Sequence, residues 1–449
     1  MGIALLFSQY LNFINTILIN TSYNFVNKLN FIGGILMIKK IFTFAAVTVL
    51  TVSLLCSCLF ISEDGERYLT EADVLNMIGN IESGSVNNVN ITVEGTNDVI
   101  SASRAVLSTV SVECEFENKY YYYWPYTQAV TKTEAQGGSG VIYRLDKENG
   151  DAYIITNYHV VYNSNSTTAN KISNKINLYL YGMEYEKYAI PATYIGGSMA
   201  YDLAVLKVEG SEVLKTGNAL EAVFANSDEV SILETAIIVG NPNGMSATAG
   251  YINVDSEYIT LSLDGVTEIE MRVMRTSAPV NSGNSGGGLY NSRGELLGVV
   301  NAKKVADDTD NVGYAIPSNV AKYVVENIID HCDGVENESV LKCILGINVG
   351  IAASRTEYNE ETAVIRKIET VAVSAVATDS SVSGKLYAGD VIKSFTVAGE
   401  KYEITRSFQV IDLMLKARVG DTVAFEIIRD GVTTEVSVEI TEQMLNKIA

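Results

Sequence analysis

Downstream of residue 100 the chain is dominated by short runs in which apolar and polar side chains alternate, a period of two that predicts β-strands. Ala152-Tyr153-Ile154-Ile155-Thr156 is one such run and Leu203 to Val208 another. Two more, Val423 to Ile428 and Glu435 to Ile440, flank Asp430-Gly431, residue types that accept the left-handed backbone of a tight hairpin turn. Helical spacing is clear once: Val320, Tyr323, Val324, Ile328 and Ile329 recur along one face between Ser318 and His331, so a helix is predicted there. An apolar run from Ala102 to Glu115 opens the folded body, while Ser62 to about Asn97 is polar and rich in Asn, Ser and Gly, the composition of a tether. A second polar stretch, Asp333 to Ser339, reads as a linker. The pattern predicts a mainly β chain with a larger body ending at the helix and a smaller one whose strands lie between about Leu341 and Ile440.

The chemistry rests on few residues. Only two histidines occur among 449 residues, His159 and His331. A serine hydroxyl is a weak nucleophile until a neighbouring base takes its proton, and histidine is the side chain able to take and return it near neutral pH. His159 follows the run at 152–156. Ser285 lies in Gly283-Asn284-Ser285-Gly286-Gly287, where glycines let a backbone approach a substrate closely. Asp202, immediately ahead of the run at 203–208, is the candidate for holding the imidazole in one tautomer. The order His159, Asp202, Ser285 is that of the chymotrypsin fold rather than of subtilisins or α/β-hydrolases. The amides of Gly283 and Ser285 are candidates for an oxyanion hole, whose donors are each worth roughly 3 kcal/mol in a transition state. His331 is read as a helix-end histidine, where positive charge is favourable.

From about Gly137 to Pro317 the chain resembles the HtrA family of trypsin-fold serine proteases. Gly138 to Ile142 resembles the first barrel strand, Thr156 to Val161 the histidine motif, Tyr201 to Leu206 the aspartate motif, Asn281 to Gly287 the serine loop, and Val312 to Pro317 the strand closing the substrate pocket. Ser282 and Gly288 stand where proline is usual. The position six residues before the serine, which holds an acid in proteases cutting after Lys or Arg, is Pro279, flanked by Ala278 and Val280. A basic side chain finds no partner there, and burying an unpaired charge is costly. Pro279, Val280, Asn281 and Ala315 are therefore the expected pocket residues, and the resemblance implies cleavage after small aliphatic residues in unfolded chains. It also implies switching by ordering of the loops around 278–283 and 302–311, because Asn284 replaces the aspartate that pairs with a newly cut amino terminus in digestive proteases.

The smaller body resembles the PDZ domain fused to HtrA proteases. Ile344, Leu345, Gly346 and Ile347 look like its carboxylate-binding loop, and Lys385 to Ile392 and Val419 to Val423 match two further turns; Val397-Ala398-Gly399-Glu400 departs from the usual Asn-Gly turn. Such a domain captures C-terminal peptides along a sheet edge. The implied fold is a chymotrypsin-like double β-barrel over 98–332 followed by a small α+β PDZ domain over 341–445.

The amino-terminal region reads as a leader. Met37-Ile38-Lys39-Lys40 followed by apolar Ile41 to Leu55 has the layout of a secretory signal, and Ser57 before Cys58 resembles a lipoprotein box, so 37–58 is a signal peptide with lipidation expected at Cys58. An uncleaved membrane helix stays open, as does Cys56 as the modified residue. Residues 1–36 read as an unused upstream start and 59–97 as the flexible tether. The net charge of −21 argues against nucleic acid, which selects basic surfaces. No cofactor is expected and no metal cluster is visible. Cys332 and Cys343 either pair or are separately buried thiols. The run Tyr120 to Tyr126 is a candidate trimer contact, as the resemblance implies, or a strand edge packed on the barrel.

These features predict an extracytoplasmic, membrane-anchored serine endopeptidase acting on unfolded or misfolded polypeptides. The alternatives are a catalytically silent peptide-binding chaperone of the same fold and a surface adhesin or scaffold. Intact His159, Asp202, Ser285 and Gly283 argue against both.

Overall fold

The computed structural model describes residues 98–122, 128–241, 244–262, 268–301, 312–331, 340–360 and 364–448. The leader, with Cys56 and Cys58, the tether, residues 123–126 of the tyrosine-rich run, the loop 302–311 and the linker with Cys332 lie outside the described residues.

A helix α1 (Asp98–Leu107) leads into β1 (Thr109–Tyr122), β2 (Gln128–Asp146) and β3 (Asp151–Thr156). The short helix α2 (Tyr158–Val161) then precedes β4 (Lys175–Tyr179), β5 (Ile190–Ser198) and β6 (Leu203–Val208). These strands close a barrel in the order β1-β2-β3-β6-β5-β4. The alternation does the sorting: Val110, Val112, Cys114 and Phe116 of β1 point inward and are buried, while Glu113 and Glu117 on the other face are exposed. The segment from Gly138 to Ile142, expected as the first barrel strand, is part of the second. The longer β1 precedes it because the inward half of its alternation continues past Glu115 to Phe116.

After the turn of helix α3 (Glu212–Thr216) come β7 (Thr235–Gly240), β8 (Ser246–Ser262), β9 (Glu268–Thr276), β10 (Gly288–Tyr290), β11 (Leu296–Asn301) and β12 (Gly313–Pro317). They close a second barrel, β10-β11-β12-β9-β8-β7, around a core that includes Ile238, Ile252, Met274, Leu289, Leu297 and Ala315. At the seam between barrels the fully buried Tyr290 places its phenol 2.9 Å from Thr109 Oγ1 and 3.1 Å from Ser108 Oγ. Two hydroxyl partners satisfy a group that would otherwise be costly to bury.

Helix α4 (Ser318–His331) has the predicted limits, with Val320, Tyr323, Val324 and Ile328 buried. His331 closes it, Nδ1–H donating to the Asn327 carbonyl at 2.9 Å. Beyond it, β13 (Val340–Cys343) pairs with the last strand, β20 (Leu445–Ile448). Between them β14 (Ile347–Asn359), β15 (Val364–Val376), β16 (Val391–Val397), β18 (Thr422–Arg429) and β19 (Val432–Glu439) form a sheet in that order, with β17 (Glu400–Glu403) paired to β16 and helix α5 (Ser407–Leu413) after it. The Phe395 and Phe425 rings stack at 4.5 Å in its core. The hairpin at Asp430-Gly431 has positive φ at both residues (50° and 79°), as its sequence predicts.

The sheet is seated on the barrels through buried polar contacts. Asn327 Nδ2 donates to the carbonyls of Leu341 (2.6 Å) and Leu415 (3.0 Å), and its Oδ1 accepts from Leu341 N (2.9 Å). Arg272 of β9 lies 3.9 Å from the Phe408 ring centre and 2.6 Å from Asp412 Oδ2, while Arg406 pairs with Asp255. Burial pushes the Asp412 carboxyl up, against the pull of Arg272. Cys343 is a buried thiol whose ionisation burial pushes up to about 11; its candidate partner Cys332 lies outside the described residues.

Candidate active site

The three residues singled out in the sequence come together between the barrels. His159 is carried by α2, three residues after β3 ends; Asp202 occupies the turn entering β6; Ser285 lies in the loop ahead of β10. His159 Nδ1 is 2.7 Å from Asp202 Oδ2 and its Nε2 is 2.9 Å from Ser285 Oγ. With an ionised carboxylate on one side, Nδ1 carries the proton and Nε2 is left as the acceptor for the serine hydroxyl. This is the arrangement required for general-base activation of a hydroxyl.

Asp202 is fully buried and saturated with donors. Oδ1 accepts from the His159 backbone N–H at 3.0 Å, and Oδ2 accepts from Asn301 Nδ2 at 2.8 Å as well as from the imidazole. Its own carbonyl accepts from Asn157 Nδ2 at 2.9 Å. Its φ of +47° is unusual for a non-glycine residue, a strain that these surrounding bonds hold in place. Asn301 ends β11 and Asn157 precedes α2; neither was singled out in the sequence. Asn301 follows the apolar run Leu296 to Val300, and nothing in the sequence around it marks its role.

The serine loop depends on Ser139 of β2. Ser139 Oγ donates to the Gly283 carbonyl at 2.7 Å and accepts from Asn241 N at 2.8 Å. Its N–H donates to the Ser285 carbonyl at 2.8 Å, and its carbonyl accepts from Thr156 Oγ1 at 2.7 Å. Gly283 has φ +99° and Gly286 φ +83°, both in the left-handed region, and a Cβ on Gly286 would lie 2.2 Å from Ser139 O. Those conformations and that approach are why the loop is built from glycines.

The expected pocket residues divide. Ala315 is fully buried and Val280 half-buried, its Cγ2 packed against Gly313. Pro279 and Asn281 are exposed, so Pro279 does not form a buried floor. The reason is local: Ala278 N donates to Thr276 Oγ1 at 3.0 Å, which turns the fully buried Ala278 inward against Gly250 and leaves Pro279 facing out. In the smaller body Leu345 is buried, Ile344 is about half exposed and Gly346 has φ +69°, and β14, which follows them, is an edge strand. Among the described residues no group of three or more His, Cys, Asp or Glu is placed to hold a metal ion.

Paired six-stranded barrels with a Ser-His-Asp constellation between them define a trypsin-like serine peptidase, and residues 138–299 match the family described as the trypsin-like peptidase domain. Three relatives narrow the class. "Serine protease Do-like HtrA" of Bacillus subtilis (strain 168) is 30% identical over 309 residues, 67% of this chain and 62% of that protein. The Do-like HtrA of Lactococcus lactis subsp. cremoris (strain MG1363) is 30% identical over 320 residues, 68% of this chain and 70% of that protein. "Periplasmic serine endoprotease DegP" of Escherichia coli (strain K12) is 28% identical over 321 residues, 69% of this chain and 58% of that protein. The chain belongs to the HtrA family of serine proteases.

Proposed function

We propose that this protein is an extracytoplasmic serine endopeptidase that cleaves unfolded or misfolded polypeptides through an acyl-enzyme. The observation that carries the reading is the continuous chain Asp202–His159–Ser285, with contacts of 2.7 and 2.9 Å. Ser285 Oγ attacks the scissile carbonyl as its proton passes to His159 Nε2; the imidazolium, stabilised by Asp202, returns that proton to the leaving amine. Water then attacks the acyl-enzyme by the same route and frees Ser285. The amides of Gly283 and Ser285 receive the oxyanion, and the apolar Ala278, Val280 and Ala315 favour a small aliphatic side chain on the acyl side, with Pro279 and Asn281 at the mouth.

The sheet from 347 to 439 acts in this reading as a PDZ domain. The loop Ile344 to Ile347 takes a peptide's terminal carboxylate, and the free edge of β14 offers backbone groups for strand addition. The DegP relative is named for the periplasm, which favours an outward-facing site of action here. Tethering through Cys58 and assembly into trimers complete the proposal.

The test compares digestion of unfolded casein by the chain from Ser62 onward with that by its Ser285→Ala variant, with and without peptides ending in apolar residues. Digestion lost in the variant and stimulated by peptide is the expected result. Absence of digestion under every peptide condition would move the reading to a peptide-binding chaperone.

A further inference from the structure

On the outer face of the first barrel, β1 and β4 floor a cavity of about 590 Å³. Three cross-strand pairs build that floor: Ser111 with Tyr179, Glu113 with Asn177, and Glu115 with Lys175. Glu184 and Glu186, from the segment joining β4 to β5, line it too. Four carboxylates thus face one ammonium, and that ammonium is already taken by Glu115 at 2.7 Å. Tyr181 and Tyr185, both well exposed, flank the acids along the same segment.

A second feature points to an occupant. Ser111, which is 3% exposed and lines the cavity, has a hydroxyl with no hydrogen-bond partner. Buried hydroxyls are ordinarily paired, so an unpaired one lining an open cavity suits a polar ligand group. The negative field is felt locally: the Tyr179 phenol is pushed up first by burial and then by the charge of Glu113.

The cavity borders the backbone that holds the serine loop. Gly137, cross-strand partner of Glu113, lines it and leads into Gly138, where a Cβ would be 3.1 Å from the Ser285 carbonyl. Asn241 lines it as well, and its N–H ends on Ser139 Oγ, the group that holds the Gly283 carbonyl. None of Pro279, Val280, Asn281 and Ala315 lines it. It is therefore separate from the pocket assigned to the acyl side. The dispersed carboxylates do not form a metal site; spread along two strands, they suit long cationic side chains on an extended peptide, whose alkyl stems the tyrosines can cover.

We propose that this cavity is the leaving-side subsite of the protease and that it selects substrates carrying Lys or Arg within the first few residues after the scissile bond. The assignment rests on the serine-protease reading above. Two quenched fluorogenic peptides, identical except for Lys or Glu at the second and third positions after the cleaved bond, provide the test. The wild type is expected to favour the Lys peptide in kcat/KM by about tenfold or more, a ratio compressed by added salt. Glu113→Gln/Glu186→Gln should lower that ratio by about three- to tenfold, whereas Glu442→Gln, an exposed acid in the other body, should leave it unchanged.

A ratio near one in the wild type, a ratio unmoved in the double variant, or an equal drop in Glu442→Gln would overturn the subsite. Binding of the same peptides to Ser285→Ala by fluorescence anisotropy separates the two ideas. Cleavage without discrimination removes the subsite and leaves the protease. Tighter binding of the Lys peptide with no cleavage by the wild type removes the protease and leaves a cation-selective groove.

Discussion

Asn301 donates its amide to Oδ2 of Asp202 at 2.8 Å, the same oxygen that receives the His159 imidazole at 2.7 Å. One carboxylate oxygen is thus held from two directions by residues of different barrels. That fixes its lone pairs toward Nδ1 rather than leaving the carboxylate to rotate.

Asn301→Ala should leave the fold intact and lower kcat. Losing a donor to a buried carboxylate costs about 1–3 kcal/mol, which corresponds to about 5- to 150-fold if it falls on the transition state. Asn301→Asp should be worse, since two carboxylates would then share the site. Steady-state kinetics beside a thermal melt checks this; an unchanged kcat in both variants would remove Asn301 from the positioning machinery.

Gly286→Ala should abolish activity and lower stability by about 2–4 kcal/mol, because the added methyl meets backbone at 2.2 Å and the residue sits at φ +83°. Gly384→Ala is the control: φ is +76° but nothing lies within 4 Å of the new Cβ, so only the conformational cost of about 1 kcal/mol remains. Denaturant melts of the two variants should differ accordingly.

Asp390 carries a two-pronged contact from Arg429, Nε to Oδ1 and Nη2 to Oδ2, both 2.7 Å, and accepts from Tyr387 N at 2.8 Å. Burial alone would raise its carboxyl, but these donors outweigh burial and hold it below the usual range. A depressed folded value contributes stability above the unfolded pKa of about 4 and loses it as pH falls through the folded value. Arg429→Ala should therefore destabilise by about 2–3 kcal/mol at pH 7, with the gap to wild type narrowing below about pH 4. A gap independent of pH would show that packing of the arginine stem, not its charge, is what matters.

Ala398 holds φ +50° ahead of Gly399 at +76° in the turn joining β16 to β17. A type I′ turn prefers asparagine at that first position. Ala398→Asn should raise stability by about 0.5–1 kcal/mol without altering activity, read as a small increase in melting temperature.

The sequence made some of this legible and hid the rest for physical reasons. The limits of α4 and the turn at Asp430-Gly431 follow from local period and backbone preference. His159, Asp202 and Ser285 stood out because a scarce histidine and a glycine-bracketed serine carry chemistry in their types. Asn301 and Ser139 did not, since each acts on a partner more than ninety residues away and nothing in its own neighbourhood marks that. The exposure of Pro279 was equally hidden, because it depends on which face of the chain Thr276 Oγ1 turns inward. Strand β14 carries little alternation, with most of its residues exposed on both faces, so its length could not be read from a pattern of burial.

The four bonds of Ser139 tie competence to assembly. Its hydroxyl belongs to the first barrel, while the carbonyl it holds and the amide it accepts belong to the second. A chain emerging from synthesis has made the last strand of the first barrel, ending at Val208, some seventy-five residues before Ser285 exists, and neither barrel alone can set the serine loop. Maturation of the nucleophile is thereby postponed until the last barrel strands have closed, so the serine hydroxyl stays unactivated while the second barrel is incomplete.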